Sequence, residues 1–210
     1  MAALEQLREA VADGFPDAAV VAMTRALGEG VPAATLLQDG LVAAMYQVGQ
    51  LYQEGEIFIP EMLVAAGALK AALAILKPKL VDQGVACRGI VAIGTVTGDL
   101  HDIGKNMVAM MLEGSGYEVR DLGVDVAPAR FVQAIRDGAQ VLAMSALLTT
   151  TMENIATVID SIAAAGLRDR THIIVGGAPL SRAFAVRVGA DAYASDAAGA
   201  VRIVNQMMLA

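Results

Sequence analysis

Gly89-Ile90-Val91-Ala92-Ile93-Gly94-Thr95-Val96 is a short, nearly continuous apolar run, and Thr97-Gly98-Asp99-Leu100-His101-Asp102-Ile103-Gly104-Lys105 follows it at once. A run of this length, closed by glycine and polar residues, reads as a strand buried on both faces. The residues behind it read as a loop that opens a helix at Ile103.

The same alternation continues to the end of the chain. Residues 118–122, 140–145, 172–175 and 190–194 read as four more strands, with helical segments between them. Five almost wholly apolar strands separated by helices predict a doubly wound α/β domain with a five-stranded parallel sheet, flavodoxin-like or Rossmann-like. In such sheets ligands sit at the carboxyl ends of the strands, beside the switch in strand order. The loops to read for chemistry are therefore 97–105, 146–152 and 176–181.

Upstream the texture differs. Residues 1–86 carry helix signals and no strand signals, with stops at Asp13-Gly14, Gly28-Glu29-Gly30, Glu54-Gly55 and Pro78. Four or five helices fit between them. Pro32 suits a first helical turn, and Leu36, Leu37, Leu41, Ala44, Met45, Val48 and Leu51 then recur down one face. Pro60 opens a further helix, running to about Lys77. Residues 81–88 read as a linker, which divides the chain into a helical bundle over 1–86 and an α/β domain over 87–210.

Composition narrows the function. A chain of 210 residues with 56% hydrophobic content can bury a sizeable core. Charges such as Lys70 interrupt the apolar stretches, so no membrane span is expected. The N-terminus lacks a secretory pattern and there is a single cysteine, Cys87; both suit the cytoplasm. A net charge of -7 without a basic run argues against nucleic acid and anionic membranes as partners.

The first loop holds one of only two histidines. A ligating imidazole usually gives its other ring N–H to a carboxylate, and Asp99 stands two residues before His101 for that purpose. The alternative is a solvated histidine, with Asp102 capping the helix at Ile103. A phosphate loop is a poor match, because Gly98 and Gly104-Lys105 have the wrong spacing and Asn106 replaces the magnesium-binding Ser or Thr. The second loop, Ser145-Ala146-Leu147-Leu148-Thr149-Thr150-Thr151, offers hydroxyls to a ligand's polar edge, although Thr151 could equally cap a helix starting at Met152. The third loop opens with Gly176-Gly177, where a ligand could approach the backbone or a tight turn could form. Met107, Met110 and Met111 read as core filling, and His172 as the start of a strand.

Together the three loops resemble the signature of cobalamin-binding proteins: Asp-x-His-x-x-Gly, then Ser-x-Leu, then Gly-Gly. Forty residues separate Gly104 from Ser145 and twenty-eight separate Leu147 from Gly176, close to that family's intervals. The helical half is similar through Asp39-Gly40-Leu41 and Gly55-Glu56-Ile57-Phe58-Ile59-Pro60-Glu61. The resemblance is to corrinoid methyl-carrier proteins and to the cobalamin module of methionine synthase.

That resemblance implies cobalamin as cofactor, in methylcobalamin or another corrinoid form, with His101 as the lower axial ligand of cobalt. It implies a ligand relay of Asp99, His101 and Thr151, the last standing where methionine synthase has serine. Gly98, Asp102, Ile103, Gly104, Ser145, Leu147, Thr149, Gly176 and Gly177 would complete the cofactor site, with Ser145 on the displaced base and the two glycines beside the nucleotide tail. Phe58 would cover the upper face of the corrin. Its alternative is to staple the following helix into the bundle, together with Ile59.

The function implied is that of a methyl shuttle. A substrate-specific methyltransferase would load the cofactor, a second methyltransferase would pass the methyl to a thiol or tetrahydrofolate, and a reductive activase would be a further partner. A cobalamin-dependent sensor and the cobalamin subunit of a mutase are the alternatives. The sensor lacks a basic recognition segment here, and the mutase would not need a helical cap.

Overall fold

The computed structural model describes residues 2–83 and 87–209. Its helical part comprises α1 (Ala2–Ala12), α2 (Pro16–Gly28), α3 (Ala33–Thr35), α4 (Ala43–Glu54) and α5 (Ile59–Asp82), with a π-helical segment, Leu36–Val42, joining α3 to α4. The α/β part comprises β1 (Ile90–Thr95), α6 (Ile103–Gly114), β2 (Glu118–Asp121), α7 (Pro128–Arg136), β3 (Val141–Ser145), α8 (Asn154–Ala164), β4 (His172–Gly176), α9 (Arg182–Val188), β5 (Ala192–Ala194) and α10 (Ala197–Met207). Two compact units result: Met1–Cys87 with Met110–Gly116, and Arg88–Ala109 with Tyr117–Ala210.

In the helical unit the periodic residues do what their spacing predicts. Leu36, Leu37, Leu41, Ala44, Met45 and Val48 are buried, together with Leu7, Met23, Met62, Leu69 and Leu76. The π-helical stretch brings Gly40 so close to α1 that a Cβ there would lie 3.0 Å from Leu7 Cδ2. The Asp39 carbonyl in that stretch accepts Arg8 Nη2 at 2.8 Å and Nε at 3.1 Å, so a main-chain acceptor at the irregularity finds a partner.

Three sequence expectations are corrected here. Pro78 does not end a helix: it lies inside α5, which continues to Asp82. A proline so near a helix C-terminus removes only one of the last hydrogen bonds, and the buried face of α5 outweighs that cost. The helix therefore takes the start of the expected 81–88 linker; residues 84–86 lie outside the described residues. Finally, α5 contains a 22-residue stretch, Ile59–Leu80, with mean hydropathy 1.8, which by length and composition alone could cross a membrane. Its apolarity serves the bundle, where Met62, Ala65, Ala66, Ala68, Leu69, Ala72, Leu73 and Leu76 are buried.

The sheet is wholly parallel in the order β2-β1-β3-β4-β5. The chain moves from β1 outward to β2, then crosses back to β3 on the other side, so the strand order reverses between β1 and β3. Loops leaving neighbouring strands there in opposite directions open a crevice at the carboxyl edge. Register places Thr95, Ser145, Gly176 and Ala194 in one row across that edge. Behind it, one face of the sheet packs Ala92, Leu142, Met144, Ile173 and Val175 against Phe131, Ile135, Val158, Ile159, Ile162 and Phe184 from α7, α8 and α9. This core fixes the strand ends from which the three loops start.

Candidate functional site: a histidine held by a buried carboxylate

The loop after β1 and the loop after β3 meet on one side chain, Asp99, which is fully buried. Its Oδ2 accepts the Leu147 N–H at 2.7 Å, the Thr151 hydroxyl at 2.7 Å and the Leu148 N–H at 3.3 Å. Its Oδ1 accepts the His101 backbone N–H at 3.1 Å and lies 2.8 Å from His101 Nδ1. Burial pushes the Asp99 carboxyl up, but the Leu147 N–H, the Thr151 hydroxyl and the His101 ring and N–H favour its ionised form more strongly. They hold it well below the usual carboxylate range.

An ionised carboxylate can only accept. The proton between the two residues therefore sits on His101 Nδ1, and in the neutral ring the lone pair is left on Nε2. The His101 side chain is 51% exposed, so that nitrogen is available to a metal. The loop is fixed from below as well: fully buried Thr95 donates its hydroxyl to the His101 carbonyl at 2.9 Å. The carboxylate thus sets the tautomer of the ring, the arrangement in which a histidine can offer its other nitrogen to a metal.

The remaining expected residues fall around this pair. Gly98 adopts φ 80, a conformation that favours glycine. Exposed Asp102 accepts from the Asn106 side chain at 3.0 Å. Ile103, the first residue of α6, is 66% exposed, and a Cβ on Gly104 would meet open space. Ser145 ends β3 and is half-buried, while Leu147 and Thr149 are exposed on the following loop. At Gly177, φ is 134 and a Cβ would lie 1.8 Å from the Ala146 carbonyl oxygen. At Gly176 a Cβ would lie 3.0 Å from the Ala194 carbonyl. Glycine is required at 177 by the close passage of the β3 loop, which also answers the tight-turn reading.

Two sequence alternatives are corrected by these contacts. Thr151 does not cap a helix at Met152: α8 begins at Asn154 with Glu153 at its N-cap, and the Thr151 hydroxyl points to Asp99. In the helical unit, Phe58 and Ile59 do not staple α5 into the bundle, since they are 66% and 44% exposed. The α5 start is secured instead by Glu61, whose carboxylate accepts the Phe58 N–H at 3.1 Å.

The site also contains residues that sequence reasoning passed over. Thr95 supports His101 from the last position of β1, and the Asn154 side chain donates to the Thr97 carbonyl at 2.7 Å. Asp125 accepts the Gly98 N–H at 2.7 Å. Lys105, only 2% exposed, joins Asp121 at 2.6 Å and Asn106 at 2.7 Å. Lys105 adjoins the motif and could have been suspected; the others carry no local signal.

A corrin ring supplies four equatorial nitrogens to its metal, so one protein donor is what such a centre asks of the chain, and His101 offers one. Among the described residues no group of three or more His, Cys, Asp or Glu could hold a bare ion. The flanking surface suits an apolar macrocycle: Leu100 is 71% and Ile103 66% exposed, and Leu147 and Leu148 are each 41% exposed. The residues fit the group.

The comparisons agree. Residues 89–202 match the family described as B12 binding domain, and residues 3–77 match a second family of the same description. The chain belongs to the B12-binding family. Across the family it is 37% identical over 212 residues to a corrinoid protein of Desulfitobacterium hafniense, covering 99% of this chain and 98% of that one. It is 38% identical over 209 residues to a dimethylamine corrinoid protein of Methanosarcina mazei, covering 98% and 97%. Among solved structures, a cobalamin-binding protein from Desulfitobacterium hafniense superposes with a TM-score of 0.80 at 31% identity, covering 97% and 98% of the two chains. A chain of the methanol:cobalamin methyltransferase complex MtaBC from Methanosarcina barkeri gives 0.86 at 29%, covering 99% and 80%. This B12-binding protein is therefore a corrinoid protein with cobalamin as its cofactor, and the expected kinship with corrinoid methyl carriers holds across the full chain.

Proposed function

We propose that this corrinoid protein shuttles a methyl group between a substrate-specific methyltransferase and a second methyltransferase that delivers it to a thiol or tetrahydrofolate. When bound, cobalamin supplies a cobalt that can accept and give up a methyl group. The chain's own work is to hold that cofactor and keep His101 presented. The observation that carries the reading is the Asp99–His101 pair, which leaves the Nε2 lone pair as the donor this chain would offer to the cobalt. Thr151 completes the relay by donating to the same carboxylate. Ser145, Leu147, Thr149, Gly176 and Gly177 line the path of the nucleotide tail, and Gly98, Asp102, Ile103 and Gly104 shape the loop beneath the ring.

We assign the helical half over 1–86 the role of a cap for the bound cofactor, with Phe58, exposed in that unit, as the residue that would cover it. Relatives named for dimethylamine and a solved homologue from a methanol methyltransferase complex support methyltransferases as partners. A reductive activase is a further partner in this proposal.

The test is to load the protein with hydroxocobalamin and record visible spectra and the Co(II) electron paramagnetic resonance signal. Wild type labelled with nitrogen-15 histidine is expected to bind one corrinoid and to show a nitrogen-15 axial splitting that is lost in His101→Ala, where the cofactor's own base can supply only nitrogen-14. No stoichiometric corrinoid, or an unchanged nitrogen-15 splitting in that variant, refutes the proposal.

A further inference from the structure

Asp125 is the one described non-glycine residue with a positive φ, 51. A left-handed residue of this kind costs about 1 kcal/mol and persists where its surroundings over-determine it. The surroundings here all belong to the His101 loop. The Asp125 N–H donates to the Asp99 carbonyl at 3.0 Å, and its Oδ1 accepts the Gly98 N–H at 2.7 Å. The flanking chain repeats the attachment: Val126 N–H donates to Thr95 O at 2.9 Å, Val96 and Val126 form an isolated parallel bridge, and Thr97 Oγ1 donates to Val126 O at 2.9 Å. Thr95 N–H in turn donates to Gly123 O at 3.0 Å.

The loop after β2 is thus a clamp, with Asp125 gripping the peptide unit that precedes Gly98 and the one that follows Asp99. Asp99 is the residue that orients the His101 ring, and its side-chain direction depends on the backbone that Asp125 holds. Gly98, at φ 80, is free to turn in either direction, so a bond to its N–H removes freedom where the loop has most of it.

We infer that Asp125 is a positioning residue for the axial ligand: its left-handed turn and carboxylate fix the Gly98–Asp99 backbone so that His101 Nε2 is aimed. The inference rests on the proposed role of His101. It predicts a specific pattern among substitutions. Asp125→Asn keeps an acceptor oxygen and tolerates the left-handed conformation. Asp125→Gly relieves the strain and keeps the backbone N–H, but loses the acceptor for Gly98.

The experiment compares wild type, Asp125→Asn, Asp125→Gly and His101→Ala, each full length and loaded with hydroxocobalamin. The His-on fraction is read from the nitrogen-15 axial splitting of the Co(II) form in protein labelled with nitrogen-15 histidine, and folding from the thermal midpoint. Expected are a His-on equilibrium about tenfold weaker in Asp125→Gly, as loss of a hydrogen bond predicts, and a smaller loss in Asp125→Asn, which keeps a neutral acceptor for the Gly98 N–H. A wild-type His-on fraction in Asp125→Gly, or equal losses in both Asp125 variants, overturns the positioning role. If His101→Ala itself keeps the nitrogen-15 splitting, the ligand assignment fails instead, which separates the two failures.

Discussion

Replacing Asp99 by asparagine removes one acceptor oxygen from a site where five contacts share two, and the structure dictates how the site must respond. Three donors face Oδ2, and the Leu147 and Leu148 N–H groups can only donate, so they lose by meeting an amide NH2, whereas the Thr151 hydroxyl could turn its proton to the Leu148 carbonyl at 3.0 Å and accept. The Asp99→Asn carbonyl must therefore turn toward them, placing its NH2 against the His101 N–H and Nδ1. The backbone N–H cannot reverse and loses its acceptor. The ring can reverse, by moving its proton to Nε2, which removes the lone pair that cobalt would use. One lost buried bond together with the charge assistance of the rest amounts to about 3 kcal/mol at pH 7.

The pH dependence follows from the same carboxylate. Asp99 has a lower pKa folded than unfolded, where it is about 3.9, so its contribution is complete above that value and is lost as pH falls through the folded pKa. The gap in stability between wild type and Asp99→Asn should be constant from pH 5 to 8 and narrow below pH about 4. Urea denaturation across that range measures it. Nitrogen-15 spectra report the tautomer, with assignment eased by there being only two histidines. Equal stabilities at pH 7, a gap that widens in acid, or a retained Nδ1–H in Asp99→Asn would each refute the reasoning.

Thr151→Val should destabilise by about 2 kcal/mol in chemical denaturation, because a hydrogen bond to a buried charge is lost, while Thr151→Ser should stay within about 1 kcal/mol. Gly177→Ala is expected to cost more than about 4 kcal/mol or prevent folding, since a Cβ would stand 1.8 Å from a backbone oxygen; a soluble variant with a wild-type melting point would contradict this. Asp121→Ala strips its ion-pair partner from Lys105, whose side chain is 2% exposed, and should lower the melting midpoint by an amount equivalent to about 2 kcal/mol. Phe58→Ala should leave stability within about 0.5 kcal/mol, as befits an exposed side chain, yet change the photolability of loaded methylcobalamin.

Much of the architecture was legible because its signals are local. Strand runs bounded by turn residues and helices with repeating apolar positions report themselves within a few residues, and parallel pairing follows from strands that are apolar throughout. The His101 motif was legible for the same reason, with Asp99 two positions away. Pro78 misled because a proline's cost depends on what the rest of the helix buries. Phe58 and Ile59 left two readings open because an apolar residue before a helix looks alike whether it faces the core or solvent.

The sequence by itself determined the alternating α/β pattern and the helical half, and it contains the histidine that we propose as the metal's donor. Only the tertiary structure decided how that donor is held. Thr151 lies 52 positions from Asp99 and Asp125 lies 27 from Gly98, and both reach the loop because a parallel sheet lines up the carboxyl ends of strands distant in the chain. A carboxylate buried among donors from separate loops has its ionisation and direction set by all of them together, which no single stretch of sequence contains.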